Sequence, residues 1–379
     1  MPDFLETLAD LRATDAAPSV LFGDMPQRPH VQRYQQQLAE AAALWAGATS
    51  GDRRAIFQLQ EVMTTSDFSY LTGDLMNRMM LAQYTAWQPT WQAIAQRRVV
   101  NDFRTVRSVI MSEFAGVLPL VAEQAEYEAQ ALSDSVTSWA VAKRGRRVPF
   151  SWELLINDDL GAFQRIPQML GDQARRSEEY FVTDLFASST GPDSTVYASG
   201  NANIVTANPA LSIVGLQTAM TVLGNMRDAG NNPILIDMVT LEVPPALGIV
   251  AQNILNATQI TIGADSSDQR LTVNNWMNGK VKLVVNPYLP LISTTNGATS
   301  WYLFANPSNG RPAIEFGFLR GHEQPEIFVK APNAQLVGGA MNPMNGDFDT
   351  DTIQYKVRHV FGGAIVDPKM TVASNGTGS

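Results

Sequence analysis

Two groups of acidic residues are the first candidates for chemistry in the sequence. The segment "INDDLGAFQRIP" contains Asn157, Asp158 and Asp159, and two facing carboxylates can act as general acid and general base. Adjacent side chains, however, point in different directions on a helix or a strand. We therefore favour a structural interpretation, in which Asn157 or Asp158 caps a helix and both carboxylates suit the positive end of its dipole.

Pro167 bears on where this helix begins. If the helix begins at Leu160, the proline ring lies in its interior and clashes one turn back; if it begins near Ile166, the proline occupies the tolerated first turn. In both cases, residues 156–167 form a structural junction.

The second acidic group is Asp347, Asp349 and Asp351, which alternate as the ligands of a calcium-binding loop do. Thr352 stands where such a loop needs glycine, and Arg358 stands where it needs glutamate. We therefore expect no metal here, but a solvated turn that leads into the last strand.

The familiar catalytic signatures are missing. The chain has no G-x-S-x-G, H-E-x-x-H, phosphate-loop or dinucleotide-binding pattern. Its histidines, His30, His322 and His359, are far apart and predict structural or surface roles, and there is no cysteine for a nucleophile or a thiolate site. We expect no enzyme and no cofactor; an acidic hydrolase that uses Asp158 or the group at 347–351 is the alternative.

Composition narrows the class of protein further. The 379 residues are 45% apolar and 17% charged, which is enough for a large core, and the net charge of -9 argues against a protein that coats nucleic acid. No secretory signal pattern and no apolar run of about 18 residues is present, so we expect no membrane contact.

A long hairpin-like excursion is predicted at roughly 113–148, because "FRTVRSVIMS" and "SVTSWAVAKRGRRVPFSW" both alternate with period two. Such a polar arm has little to bury against its own domain, which predicts partners in other subunits. Its basic residues could pair with carboxylates of a neighbour or simply be solvated. The outgoing side carries Glu123, Glu126 and Glu128, and the return carries Lys143, Arg144, Arg146 and Arg147.

The remaining elements alternate between helix and strand. The longest helix is predicted at 160 to about 187. Ile353, Tyr355, Val357 and His359 share one face of a last strand. Between them we predict a helix at 211–228, a strand at 233–243, a helix begun by Pro244 and Pro245, and a strand at 280–287.

Three stretches resemble the major capsid proteins of tailed bacteriophages. They are "LPLVAEQAEYE", the segment "RRVPFSWELLINDDLGAFQRIPQMLGDQARRSEEYFVTDLF" and the closing "DTIQYKVRHVFGGAIVDPK". The pattern E-x-x-I-N-D-D-L-x-x-F-x-x-I-P is the most specific part, and the resemblance covers roughly 60–370.

The resemblance implies an α+β fold of the Hong Kong ninety-seven type. By region it implies an N-terminal arm (1–60), a first part of the peripheral domain (61–112), an E-loop that lies over a neighbouring subunit (113–148), the rest of the peripheral domain with its long spine helix (149–204), an axial domain (205–345), and closing strands with a flexible tail (346–379).

The function implied by the resemblance is self-assembly. Pentamers and hexamers of the chain would form the icosahedral shell of a phage virion, assembled in the host cytoplasm around double-stranded DNA that is contacted only non-specifically. Separate scaffold and portal proteins are expected as partners. An encapsulin-type compartment is the alternative shell, although "INDDL" and the long polar arm favour the phage. Residues 121–142 contain no lysine and Lys143 lies late on the return limb, so a lysine crosslink from the E-loop is not expected.

Overall fold

The structure is a computed structural model that describes residues 77–111, 120–121, 134–151, 160–228, 230–262, 271–308, 310–330 and 347–378. Several sequence-based predictions lie outside these residues and stay predictions. They are the N-terminal arm, His30, the acidic residues Glu123, Glu126 and Glu128, and the capping residues Asn157, Asp158 and Asp159.

The described residues contain both helices and strands, as an α+β fold requires. The helices are α1 (77–86), α2 (Leu160–Phe186), α3 (Ile213–Gly224), α4 (Pro245–Asn256) and α5 (Leu289–Ile292). The strands are β1 (Ala95–Val100), β2 (Val106–Met111), β3 (Asp134–Trp139), β4 (Ala142–Ser151), β5 (Ala187–Ser188), β6 (Gly191–Pro192), β7 (Val239–Val243), β8 (Gln259–Ile262), β9 (Leu271–Asn274), β10 (Val281–Val285), β11 (Trp301–Ala305), β12 (Ile314–Leu319), β13 (Glu326–Val329), β14 (Thr352–Ile365) and β15 (Thr371–Ser374).

Two sheets hold most of these strands. In the five-stranded sheet, β1 runs parallel to β12, β12 and β13 run antiparallel to β14, and β4 also pairs with β14. The four-stranded sheet has the order β10-β7-β11-β15, in which β10 and β7 are parallel. The predicted last strand is confirmed, since Ile353, Tyr355, Val357 and His359 are all buried.

The predicted long helix is confirmed as α2, and it begins at Leu160. Pro167 therefore lies in the helix interior, where it has no amide hydrogen for the carbonyl of Phe163. Leu170 and Ala174 are buried on its apolar stripe, whereas Met169 is 65% exposed and lies beside that stripe.

Alternating residues of β11 serve two separate cores. Tyr302 and Phe304 pack with Phe186 and other aromatic residues in a cluster shared with α2. Trp301 and Leu303 face the opposite side and pack with residues of α3 and α4. Successive strand residues point to opposite faces, so one short strand ties both layers together.

Chain order does not decide which sheet a strand joins. β12 and β13 fall within the stretch predicted as axial, yet they pair in the sheet of β14, while β15 pairs with β11 beside β7. The predicted domain boundary at 345 therefore does not coincide with the sheets, and the domain assignment stays a prediction. The strand predicted at 233–243 begins only at Val239, after Asn231 adopts a positive φ of 64° and Pro233 removes an amide donor.

Candidate functional site

The hairpin-like excursion predicted from the sequence is confirmed at its base. β2 and β3 pair antiparallel, with Val106 opposite Trp139 and Met111 opposite Asp134. Val109 and Val136 also lie opposite each other and are 51% and 49% exposed. This cross-strand pair presents apolar surface to solvent that a protein partner could cover.

A charged cluster fixes the base of the hairpin to the five-stranded sheet, and we call it the hairpin root. Glu315 on β12 accepts hydrogen bonds from Arg98 Nη1 at 2.9 and 2.8 Å and from Trp139 Nε1 at 3.1 Å. Ser108 on β2 also donates to the Glu315 carboxylate. Glu315 and Ser108 are buried, so these charge-assisted bonds are little screened by water.

The root also depends on a residue that has no side chain. The Trp139 ring lies directly over Gly317 on β12, where an added Cβ would come within 2.3 Å of Trp139 Cη2. Trp139 packs in the same place with Val100, Val141, Leu319 and Val360. Glycine at 317 is therefore what lets the tryptophan ring approach the sheet this closely.

The returning limb of the excursion contradicts the expectation that it has little to bury against its own domain. β4 pairs with β14, the Arg144 guanidinium lies 4.6 Å from the Phe181 ring centroid and 4.9 Å from that of Phe361, and Arg147 donates to Gln354 at 3.3 Å. This packing was not predicted from the sequence. An arginine side chain can lie over aromatic rings while its guanidinium stays in contact with water. Lys143 and Arg146 are exposed, as expected of a solvated run.

A buried polar network anchors α2 to its surroundings. Glu178 accepts hydrogen bonds from Tyr84 Oη at 2.5 Å, Trp91 Nε1 at 3.0 Å and Arg175 Nη1 at 2.9 Å. His359 Nε2 on β14 lies 2.7 Å from the same carboxylate. One glutamate thus joins four elements: α1, the turn at Thr90–Ala93, α2 and β14.

Two further carboxylates are buried, Glu179 on α2 and Glu242 on β7. Glu179 accepts hydrogen bonds from the amide and the hydroxyl of Thr90, and Glu242 on β7 accepts one from Asn286 Nδ2 at 2.5 Å. Burial raises the pKa of Glu179, and the nearby Glu178 charge adds to that rise. Burial also raises the pKa of Glu242 to about 8, and the Glu179 charge adds to this rise. One oxygen of Glu242 has no hydrogen-bond partner among the described residues, so the protonated form suits this place at neutral pH.

The other candidate residues occupy structural positions. Residues 347–351 form an exposed turn before β14, closed by the Asp351 amide donating to the Asp347 carbonyl at 2.8 Å. His322 lies at the surface against Glu326, 2.5 Å away. Within the described ranges, no group of histidines and carboxylates could hold a metal ion. No helix in that same part of the chain is long and apolar enough to cross a membrane.

Sequence reasoning missed Glu178, Glu242 and Glu315, although a signal was present. Each is an acidic residue inside an otherwise apolar pattern: Glu178 one turn from Ala174 on α2, Glu242 in "VTLEV" and Glu315 in "AIEFGFL". A carboxylate that the strand or helix period places in the core must find partners there. Which partners it finds depends on the fold.

In the described residues, buried polar and charged groups hold the base of a hairpin on the five-stranded sheet. The sequence model of the phage capsid protein family matches residues 135–374, which is more than half of the chain. The chain therefore belongs to the phage capsid protein family. It is a shell-forming capsid protein of the virion and assembles with copies of itself.

Solved structures resemble the chain at low identity and with TM-scores under 0.5. A Gordonia phage Cozz structure is 14% identical with a TM-score of 0.42, covering 75% of this chain and 84% of that one. The Cyanophage Pam1 capsid asymmetric unit is 9% identical with a TM-score of 0.45, covering 76% and 90%. The holo-SrpI encapsulin complex from Synechococcus elongatus PCC 7942 is 13% identical with a TM-score of 0.46, covering 76% and 88%. No curated protein sequence matches the chain.

Proposed function

We propose that the chain is a phage major capsid protein whose pentamers and hexamers close into an icosahedral shell around double-stranded DNA. The observation that carries the proposal is the family match over residues 135–374, which spans α2 and strands of both sheets. Many modest contacts between copies, summed over a closed shell, give a stable container without any single strong interface.

The hairpin is the element best suited to reach a neighbouring copy. Its root is held by the buried Glu315 cluster, so its direction is fixed, while Val109 and Val136 leave an apolar pair open beyond the root. Covering that pair removes apolar surface from water, which favours association. This supports the E-loop role, in which the hairpin lies over the next subunit.

The remaining roles follow from the same proposal. The protein acts as a building block without turnover or cofactor, with separate scaffold and portal proteins as partners. The net charge of -9 disfavours tight DNA binding, so packaged DNA is touched non-specifically. Asn157 or Asp158 caps α2, and the carboxylates of Asp158 and Asp159 suit the positive end of its dipole, since these residues directly precede Leu160.

Sedimentation velocity and negative-stain electron microscopy of the purified full chain test this function. We expect rings of five or six copies, or closed shells, that become more abundant as the protein concentration rises. A species of 41.4 kDa that persists as a monomer at every concentration and ionic strength would overturn the proposal.

A further inference from the structure

Asparagine–glycine pairs can modify themselves, and the part of the chain that the structure describes holds three of them. They are Asn278–Gly279, Asn296–Gly297 and Asn375–Gly376. In such a pair the glycine amide nitrogen can attack the side-chain carbonyl carbon of the asparagine, because glycine has no side chain to hinder the approach. The reaction needs an asparagine side chain and a glycine amide that are free to meet.

The turn that carries Asn278 is anchored at its base. Met277 is fully buried in the core shared with α3 and α4, and its carbonyl accepts hydrogen bonds from the amides of Lys280 at 3.1 Å and Val281 at 3.2 Å. Asn275 Nδ2 donates to two carbonyls in the last turn of α4, at 2.8 and 3.1 Å. These contacts fix both ends of the turn.

The tip of the same turn is free. Asn278 and Gly279 are both exposed. Within the described residues, neither the Asn278 side chain nor the Gly279 amide forms a hydrogen bond. Gly279 has a φ of 82°, and a Cβ added there would meet nothing within 4 Å. The two reacting groups can therefore approach each other without giving up a hydrogen bond of their own.

The pair at 296 is held by a hydrogen bond and by close packing. Asn296 Nδ2 donates to the Thr190 carbonyl at 2.7 Å. Gly297 is buried, and a Cβ added there would lie 2.1 Å from the Ser293 carbonyl oxygen. The side chain and the glycine amide are thus confined where they stand.

The pair at 375 is held by hydrogen bonds on both sides. Asn375 Oδ1 accepts bonds from the Thr377 amide at 3.1 Å and from the Thr377 hydroxyl at 2.7 Å. The Gly376 amide donates to Ser374 Oγ at 3.1 Å. Ring closure at this pair has to break these bonds first.

We propose that Asn278 is a modification site, at which the chain deamidates spontaneously and faster than at the other two pairs. The Gly279 nitrogen forms a bond to Asn278 Cγ, its proton passes through solvent to the departing Nδ2, and the Cγ–Nδ2 bond breaks to release ammonia. Water then opens the five-membered succinimide ring at either carbonyl, which leaves aspartate or isoaspartate at position 278. Water is the co-reactant, and the chemistry does not depend on assembly of the chain.

The product places a new carboxylate on an exposed tip. Each event adds one negative charge to the net charge of -9, two residues from Lys280 and two from Trp276, which is 44% exposed. Met277 and Asn275 keep the base of the turn anchored, so the fold is retained and the change is one of surface charge.

Peptide mapping by mass spectrometry of the full chain, incubated at mildly alkaline pH, tests the proposal. Asn278 should deamidate at least about tenfold faster than Asn296 or Asn375, since the bonds that hold those residues must break; tenfold corresponds to about 1.4 kcal/mol in activation free energy. Isoaspartate should be among the products at 278. In urea, where the fold is lost, the three rates should become similar.

Two variants complete the test. Asn278→Gln keeps an exposed amide but would have to close a larger ring, so deamidation at this position should stop. Asn278→Asp carries the charge of the product and should unfold within about 2 °C of the wild type, as exposed substitutions do.

Equal rates at the three pairs of the folded chain would overturn the proposal. So would a preference for Asn278 that persists in urea, because the local sequence and not the structure would then set it. Aspartate without isoaspartate would indicate direct hydrolysis and would overturn the attack by Gly279. A much lower unfolding temperature for Asn278→Asp would overturn the claim that the change is confined to the surface.

Discussion

Glu242 is a carboxylate that the fold keeps away from water. It lies on β7 between apolar neighbours, accepts one hydrogen bond from Asn286, and has its pKa raised by burial and by the Glu179 charge. Asn286 also donates to Thr183 on α2 at 2.8 Å, so the neutral carboxylic acid is part of a chain of bonds between the four-stranded sheet and the long helix. Such a group makes stability depend on pH.

The pH dependence has a definite sign. The pKa of Glu242 rises from 4.5 in the unfolded chain to about 8 in the folded chain. The contribution of Glu242 to the free energy of unfolding is fully present below about pH 4.5. It is lost as pH rises toward 8, because the unfolded chain releases this proton first. We expect the free energy of unfolding to fall by on the order of 4 kcal/mol over this window from Glu242 alone.

Glu242→Gln should remove most of that fall, since glutamine does not titrate. Urea unfolding of the dissociated chain at pH 5, 6, 7 and 8 measures it, with Glu323→Gln at the partly exposed Arg97 pair as the control. The Glu323→Gln control should keep the pH dependence of the wild type. The raised pKa of Glu242 is the wrong explanation if Glu242→Gln keeps that pH dependence too.

Glu178 is the second residue that predicts a large effect. Its carboxylate neutralises Arg175, which is buried and also donates to the Tyr84 carbonyl at 2.9 and 3.1 Å. Glu178→Gln leaves the guanidinium uncompensated in the core, so we expect a loss of about 3–5 kcal/mol in the free energy of unfolding. Asp184→Asn, at an exposed position on the same helix, should change it by less than about 0.5 kcal/mol. Equal losses in the two variants would contradict the role of Glu178.

At the level of elements, the hairpin root is where a small change should have a large effect. Gly317→Ala puts a Cβ within 2.3 Å of Trp139 Cη2 and 3.3 Å of Val100 Cγ2, so the ring must leave its place on the sheet. We expect a cost of about 1–3 kcal/mol from this overpacking. Amide hydrogen exchange should become faster in 106–111 and 134–139, the two strands that the root holds.

Gly224→Ala is the matched control for the root. An added Cβ at Gly224 meets nothing within 4 Å, and alanine is the better helix former at the end of α3. Exchange in the hairpin should therefore match the wild type. The root does not depend on Gly317 if exchange in the hairpin is the same in both variants.

The elements with strong periodicity could be predicted from the sequence. The long helix, the last strand, the helix that begins at Pro245 and the paired limbs of the hairpin all follow from spacing and proline positions. The sheet memberships of β12, β13 and β15 could not, because strand pairing over long sequence separations leaves no mark in local pattern. The contacts of Arg144 were missed for the same reason: Phe181 and Phe361 reach it only through the fold.

At the scale of the whole molecule, the described part of the chain combines a core tied together by buried polar groups with surfaces suited to copies of itself. Buried carboxylates join α2 to both sheets, so the body can act as one block in an assembly. Among the described residues, the exposed Val109–Val136 pair of the hairpin is one apolar surface that such a block leaves uncovered. This division between a fixed body and unpaired surfaces is what a shell subunit needs.

Cryo-electron microscopy of the assembled full chain tests the central claim most directly. We expect a closed shell built from rings of five and six copies, in which the hairpin, residues 106–139, crosses onto a neighbouring copy. A preparation without rings or shells, or a shell in which each hairpin folds back on its own body, would contradict this account.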